Sequence, residues 1–230
     1  MNGRAELHTL QAACGACHVC VDQGIIPEAT PTFAGTWGAP FFLVGQAPGP
    51  VERESRRPFS GRAGKELDRW MLRAGFASPE EFRRVTYIAA LMRCFPGRNR
   101  AGTGDLKPPP PAVANCAHWL DAELRILKPR VLILVGQLAI ARFLGPGPLE
   151  DRVGHCFGER PVMVPLPHPS GQSRWLNDPA NRERLASALA VVDQLRSSLA
   201  LPQGRRSNSG GGTAPPRVKR ADSMAMRRKA

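Results

Sequence analysis

Four cysteines of the chain have the residue type, and in part the spacing, of a metal site. Cys17 and Cys20 form a Cys-x-x-Cys pair, whereas Cys94 and Cys116 are separated from each other by 21 residues. Thiolates are soft ligands, and four of them suit either zinc or a [4Fe–4S] cluster. The distal pair is too widely spaced for the second knuckle of a zinc ribbon. The alternative is that Cys94 and Cys116 are small core residues.

Two further cysteines complicate this assignment. Cys14 precedes Cys17 by the same spacing that separates Cys17 from Cys20, so either pair matches the Cys-x-x-Cys pattern. Cys156 has no nearby cysteine and is interpreted as a core or loop thiol. Because the sequence shows no secretory signal, we expect metal ligands or unpaired thiols rather than disulfides.

A second candidate site lies in residues 41–64. Four apolar residues ending at Gly45 predict a buried strand, and Gln46-Ala47-Pro48-Gly49 predicts a tight turn at its carboxyl end. Glycines let backbone N–H groups approach a ligand, the Gln46 amide both donates and accepts, and Phe59 supplies a flat apolar face. An ordinary strand-to-helix connection is the alternative.

Apolar runs and amphipathic stretches define the elements that must position these residues. Strands are predicted at 41–45, 85–92, 131–135 and 161–166, and helices at 5–13, 65–74, 111–127, 137–144 and 181–199. Alternating strands and helices predict an α/β protein with a parallel sheet covered on both faces, in which ligands bind at the carboxyl ends of the strands. His168 directly follows the last strand and is expected at this edge.

The formal net charge of +13 favours a polyanionic partner such as nucleic acid. Residues 201–230 carry +7 of this charge and are rich in Gly, Ser, Pro and Arg. We therefore expect one domain over residues 1–200 and a disordered basic tail over 201–230 that holds DNA or RNA weakly. No run of 18 apolar residues and no signal peptide is found, so we expect a cytoplasmic, monomeric protein that does not contact membranes.

Taken in order, these motifs resemble the iron–sulfur uracil-DNA glycosylases of families four and five, over roughly residues 12–197. Residues 45–49 and 57–64 resemble the motifs Gly-Glu-Ala-Pro-Gly and Arg-Pro-Phe-Val-Gly. Residues 93–100 resemble the segment Lys-Cys-Arg-Pro-Pro-x-Asn-Arg, which carries the third cluster ligand, and residues 167–170 resemble the His-Pro-Ser motif. The resemblance implies a three-layer α/β/α sandwich with a central four-stranded parallel sheet, and an enzyme that removes uracil from DNA.

The same resemblance implies a structural [4Fe–4S] cluster bound by Cys17, Cys20, Cys94 and Cys116. The 25 positions between Cys20 and Gly45 are close to the family spacing between the second ligand and the motif glycine. On this comparison Cys14 is spare.

The resemblance also implies base flipping, in which the uridine is rotated out of the duplex into a pocket. Phe59 would stack on the uracil ring, and Gly45, Gln46 and Ala47 would hold the base edge and position water. His168 would donate a hydrogen bond to the uracil O2 as negative charge develops there.

Further roles follow for the neighbouring loops. Residues 171–176 would fill the gap left by the base, with Arg174 and Leu176 as wedges and Ser170 in the DNA-binding motif. Glu52 is the candidate for orienting the attacking water, and an exposed turn carboxylate is the alternative.

Two positions depart from the family-four pattern. Gln46 replaces the motif glutamate, and Ala90 stands where family four has the asparagine that reads the uracil edge. A missing bidentate contact typically costs about 1–3 kcal/mol, so specificity must come from backbone groups or another side chain. Family five tolerates an apolar residue there and accepts more kinds of damaged base. The competing hypotheses are a non-catalytic iron–sulfur DNA-binding protein and a zinc-stabilised nucleotide-binding protein.

Overall fold

The computed structural model describes residues 2–102, 104–170 and 174–199. Its sheet has four parallel strands in the order β2-β1-β3-β4. Their bounds are β1 Phe41–Gly45, β2 Thr86–Ala90, β3 Val131–Val135 and β4 Val162–Leu166. The register places Gly45 opposite Ala90 and Val44 opposite Leu134. All four carboxyl ends therefore lie at one edge of the sheet.

The described part of the chain contains eight α-helices. Their bounds are α1 Gly3–Gly15, α2 Val19–Asp22, α3 Pro50–Ser55, α4 Arg62–Arg73, α5 Pro79–Arg84, α6 Pro110–Leu127, α7 Gln137–Leu144 and α8 Pro179–Ser198. Short 3₁₀ turns occupy Leu149–Asp151 and Arg174–Asn177. None of the described helices is long and apolar enough to cross a membrane.

Alternating strand residues pack on opposite faces of the sheet. Phe41 and Leu43 face one core, which they share with Leu67 and Trp70 of α4 and Leu189 of α8. Phe42 and Val44 face the other core, to which α1, α6 and α7 contribute Leu7, Leu120 and Ile140. Because successive side chains of a strand point to opposite faces, strands that are apolar throughout require helices on both sides. The predicted three-layer α/β/α sandwich with a central parallel sheet is confirmed.

The strands and five long helices lie close to their predicted positions, and the differences have local causes. Three helices were missed, namely α2, α3 and α5, which have four to six residues and are too short to show a helical period. The predicted second strand extended to residue 92, but the observed strand ends at Ala90. The predicted tail over 201–230 lies outside the described residues.

Candidate active site and cysteine cavity

The turn after β1 lies at the middle of the carboxyl edge. Leu91, just beyond β2, donates its backbone N–H to the carbonyl of Gly45 at 3.0 Å, and Met92 donates to the carbonyl of Gln46 at 3.1 Å. The two residues that leave the β2 strand therefore hold the turn. A Cβ atom on Gly45 would lie 3.1 Å from Cζ of Phe59, so the aromatic ring lies against the Gly45 backbone.

The loop that presents Phe59 has an unusual backbone conformation. Phe59 has a φ of 53°, a region that residues other than glycine rarely adopt. Arg83 donates to the carbonyls of Pro58 at 2.9 Å and Phe59 at 2.8 Å, and it pairs with Asp68 at 3.0 Å. A Cβ atom on Gly64 would lie 1.8 Å from the Phe59 carbonyl oxygen, so α4 packs this closely only because Gly64 has no side chain. These contacts fix the ring position.

Glu52 is buried and joins the two halves of the 45–64 motif. Its Oε1 accepts hydrogen bonds from the backbone N–H groups of Ser60 at 2.8 Å and Gly61 at 2.7 Å, and its Oε2 accepts one from Gly49 at 3.1 Å. The alternative interpretation of Glu52 as an exposed turn carboxylate is therefore wrong.

Gln46 and His168 flank the glycine that follows β3. A Cβ atom on Gly136 would lie 2.6 Å from Nε2 of Gln46 and 3.3 Å from Cδ2 of His168. Gly136 also has a φ of 88°, which strongly favours glycine. The structure thus brings the glutamine of the first motif and the histidine of the last motif to one place.

The contacts of His168 indicate its tautomer. The backbone N–H of Ser170 donates to Nδ1 of His168 at 3.2 Å, so Nδ1 is the acceptor and the proton lies on Nε2. Burial lowers the pKa of His168 from its ordinary value near 6.5. The side chain is therefore a neutral hydrogen-bond donor at pH 7.

Two further residues lie at the carboxyl edge of the sheet, the apolar Ala90 and the acidic Asp105. Ala90 is buried opposite Gly45 and adds no polar group. Asp105 was not singled out from the sequence. A Cβ atom on Gly49 would lie 3.4 Å from Oδ2 of Asp105. Partial burial raises the pKa of Asp105; the charge of Arg98 lowers this pKa, and the charge of Glu52 raises it further. The sequence signal that could have identified Asp105 is its place in the loop that follows β2, because β2 must end at this edge.

The loops around the edge present basic side chains to solvent. The exposed arginines are Arg56, Arg57, Arg62, Arg98, Arg100 and Arg174. Leu176 is half-buried and packs against the core that contains Phe41 and Leu43. Ser170 is held by the hydrogen bond from its backbone N–H to His168. Residues 171–173 of the predicted wedge segment lie outside the described residues. Of the two predicted wedges, Arg174 is the more exposed.

Five cysteines line one cavity. Cys14, Cys17, Cys20, Cys94 and Cys116 surround it together with Arg93 and Trp119. Within the described ranges, no three His, Cys, Asp or Glu side chains are grouped as ligands of one metal ion. A [4Fe–4S] cluster takes one thiolate on each of four iron atoms and needs its sulfurs further apart than one ion does. The thiol donors around the cavity fit a cluster, and four of them also suit a zinc ion.

The hydrogen bonds around the cavity suit thiolate ligands. The backbone N–H of Thr30 donates to Sγ of Cys94 at 3.4 Å, and Nδ2 of Asn115 donates to Sγ of Cys20 at 3.5 Å. Burial raises the pKa of Cys94 to about 11, and Cys116, Cys20 and Cys17 add to the shift. Cys94 lines the same cavity as the other three predicted ligands.

Cys14 has a different environment. Burial raises the pKa of its thiol to about 12. The charge of Arg93 lowers this pKa, and the charge of Glu123 raises it by more than Cys116 or Cys17 does. The charges of Arg93 and Glu123 thus act on the Cys14 thiol more strongly than the other cysteines do.

The cavity and the β1 turn are adjacent. Ala47 of the turn packs against a small apolar cluster that contains Cys20, Met92 and Cys94. Because the backbone N–H of Met92 also donates a hydrogen bond to the carbonyl of Gln46, the segment from Met92 to Cys94 connects the turn after β1 with the cysteine cavity.

The fold and these motifs together define the class of protein. The family model described as "Uracil DNA glycosylase superfamily" matches residues 33–192, and the chain belongs to this superfamily.

Relatives of two types are similar to the chain. A type-4 uracil-DNA glycosylase of Thermotoga maritima is 34% identical over 102 residues, which are 44% of this chain and 47% of the relative. A type-4 enzyme of Pyrobaculum aerophilum is 31% identical over 156 residues, 65% of this chain and 74% of the relative. A type-5 enzyme of Thermus thermophilus is 33% identical over 140 residues, 56% of each chain. The chain thus spans about half the length of several curated relatives that it matches.

His168 should titrate below its ordinary pKa of 6.5 because burial disfavours its charged form. The unfolded chain then binds the proton more readily than the folded protein, so this group lowers the free energy of unfolding as the pH falls below about 6.5. NMR titration of the imidazole C–H protons, assigned by comparison with His168→Gln, measures the pKa directly. A pKa at or above 6.5 would contradict the neutral, buried donor.

Proposed function

We propose that the protein is a monofunctional DNA glycosylase that hydrolyses the N-glycosidic bond of uracil in DNA and thereby initiates base excision repair. The observation that carries this proposal is the convergence of Gln46 and His168 beside Gly136, next to the turn on which the Phe59 ring lies. The relatives named type-4 and type-5 uracil-DNA glycosylases support it. Other deaminated bases belong to the same proposal.

The pocket would take a base rotated out of the helix. Phe59 offers a ring whose position is fixed by Arg83 and Gly64, and base–aromatic stacking is worth about 1–3 kcal/mol. Gly45, Gln46 and Ala47 would contact the base edge. Because the loop around Phe59 is already ordered by these contacts, little conformational entropy is lost when the base binds.

His168 would stabilise the departing uracil anion. Its Nε2–H is the donor, since Nδ1 already accepts a bond from Ser170. A fixed neutral donor aimed at a developing negative charge is worth about 2.7–4 kcal/mol in the transition state. Its lowered pKa keeps the imidazole neutral at pH 7, so it acts as a hydrogen-bond donor without a charge of its own.

The carboxylate that orients water is better assigned to Asp105 than to Glu52. Glu52 uses both oxygens to hold Gly49, Ser60 and Gly61, which makes it a positioning residue. Asp105 is solvent-exposed, and its Oδ2 lies 3.4 Å from where a Cβ atom on Gly49 would lie, so a water molecule at the turn can reach its carboxylate.

The cysteine cavity would hold a [4Fe–4S] cluster through Cys17, Cys20, Cys94 and Cys116. When bound, the cluster cross-links the amino-terminal segment to the loop before α6 and to the start of that helix. Cys94 follows the segment that is bonded to Gln46, so these ligands would also hold the turn of the active site.

DNA containing uracil would bind across the carboxyl edge. The exposed arginines of the surrounding loops would contact phosphates, and Arg174 is the one nearest to His168 in sequence. Ser170, two residues after His168, would also contact the DNA. Leu176 could enter the groove only by leaving its core contacts. A monomer in the cytoplasm remains the prediction.

A non-catalytic DNA-binding role is the second candidate. The observation that favours it is Ala90, which leaves the edge of β2 without a polar side chain to read the base.

Replacement of His168 by alanine should lower the rate of uracil release by about 10²–10³-fold and leave DNA affinity nearly unchanged. The measurement is single-turnover cleavage of oligonucleotides with one uracil, opposite G, opposite A or unpaired, followed by alkali at the abasic site. His155→Ala is the matched control, because His155 is exposed in the loop before β4. Full activity of His168→Ala would refute the donor role, and an inactive wild type that binds DNA would support the second candidate.

Asp105→Asn should slow base release by about 10²–10⁴-fold with an unchanged melting temperature, as expected for loss of a general base. Glu52→Gln should instead lower the free energy of unfolding by about 1.5–3 kcal/mol, because it weakens charge-assisted hydrogen bonds. Glu54→Gln is the control, since its side chain is 74% exposed. If Asp105→Asn is fully active while Glu52→Gln is folded and inactive, the two assignments must be exchanged.

Ala90→Asn should improve the selection of uracil over hypoxanthine and thymine by about 1–3 kcal/mol, the value of a bidentate base contact. The measurement is the ratio of kcat/KM for each base in one sequence context. Ala90→Leu has a similar shape without the amide and should not improve selection. Equal effects of the two variants would show that shape, not hydrogen bonding, acts at this position.

A further inference from the structure

A buried cation lies against the cysteine cavity. Arg93 is 1% exposed, lines the cavity and pairs with Glu123, whose Oε2 lies 2.5 Å from Nη2 of Arg93. Glu123 is itself 1% exposed and accepts a second bond, from the hydroxyl of Tyr87 at 2.9 Å. Glu123 and Tyr87 therefore hold the guanidinium in one orientation.

Two nitrogens of the guanidinium have no hydrogen-bond partner among the described residues, and its Cζ lies 5.9 Å from the centroid of the Phe33 ring. Nε and Nη1 of Arg93 are buried without a hydrogen bond, and so is Nε1 of Trp119, which lines the same cavity. A buried donor that is left unsatisfied destabilises the folded protein. Two side chains from separate elements thus place unsatisfied donors around a cavity lined by five thiols.

Packing alone does not account for this arrangement. A buried ion pair is often no more stable than apolar residues of the same volume, so Arg93 and Glu123 add little to folding by themselves. Sulfurs of an anionic cluster and its thiolates would accept hydrogen bonds from such donors, and the hydrogen bonds and charge around a cluster set its stability and potential.

We propose that Arg93 is a positioning residue of the iron–sulfur centre, in which Nε–H and Nη1–H donate to the sulfurs while Glu123 and Tyr87 fix the guanidinium. Trp119 supplies a further donor through Nε1–H. The inference rests on the cofactor of the proposed function. It makes two properties depend on Arg93, namely how firmly the cluster is retained and at what potential it is reduced.

The direction of each effect follows from charge. The reduced cluster is more negative than the oxidised one, so a nearby cation favours the reduced form. Removing the guanidinium should shift the reduction potential to more negative values. It should also speed cluster loss, since outer contacts of this kind typically change metal affinity by about 10–100-fold.

The experiment uses the full chain purified without oxygen. Iron and sulfide content are measured, loss of visible absorbance is timed in the presence of a chelator, and the potential is determined by EPR-monitored reduction. Arg93→Met should lose the cluster about 10–100-fold faster and have a more negative potential. Arg93→Lys keeps the charge but not the planar donors, so it should lose the cluster quickly while its potential changes less. Trp119→Phe removes one donor and should have a smaller effect on retention.

Two further variants separate this role from folding. Arg93→Met combined with Glu123→Met leaves no unpaired buried charge and should fold, yet retain the cluster as poorly as the single variant. Arg196→Met is the matched control, because Arg196 is also 1% exposed and pairs with Asp193 at 2.6 Å, but on α8. Arg196→Met should keep the wild-type cluster lifetime and potential.

The outcomes distinguish the inference from its basis. Wild-type protein without iron would overturn the proposed cofactor and the role of Arg93 with it. An iron–sulfur wild type whose cluster lifetime and potential are unchanged in the folded double variant would overturn the role of Arg93 alone. An equal loss in Arg196→Met would show general destabilisation and would also overturn it.

Discussion

The parallel pairing of β1 with β2 and β3 is the constraint on which the rest of the structure depends. It fixes Gly45 opposite Ala90 and places the end of β3 just before Gly136, which Gln46 and His168 flank. The backbone bonds of Leu91 and Met92 to the turn continue this pairing past the end of the strand. Residues far apart in the chain therefore converge because the carboxyl ends of parallel strands share one edge.

Buried charges then hold the loops that the sheet brings together. Glu52 ties Gly49 to Ser60 and Gly61, and Arg83 holds the carbonyls next to the aromatic ring of Phe59. Loops carry backbone groups that cannot be left unpaired when buried. A charged side chain that forms hydrogen bonds with two or three of these backbone groups makes a loop rigid, as the hydrogen bonds between paired strands do in a sheet.

The cysteine cavity and the active-site turn are parts of one structure. The segment from Met92 to Cys94 bonds to Gln46 at one end and contributes a thiol to the cavity at the other, with Arg93 between them. A change in the cavity would thus reach the β1 turn through two peptide units. A cluster held by these thiols, as proposed, would therefore also hold the turn after β1.

The sequence by itself determined the strands, the long helices and the order in which they alternate, because continuous apolar runs and helical periods depend only on neighbouring residues. It also indicated Gln46 and His168, whose positions just after predicted strands place them at one edge, and Phe59 in the second half of the 45–64 motif. Only the tertiary structure decided that Glu52 is a buried acceptor, that Asp105 faces the same turn and that Arg93 pairs with Glu123 beside the thiols. The Arg93–Glu123 and Gly49–Asp105 contacts join residues 30 and 56 positions apart, and their distances are set by how loops pack, which no local pattern in the sequence encodes.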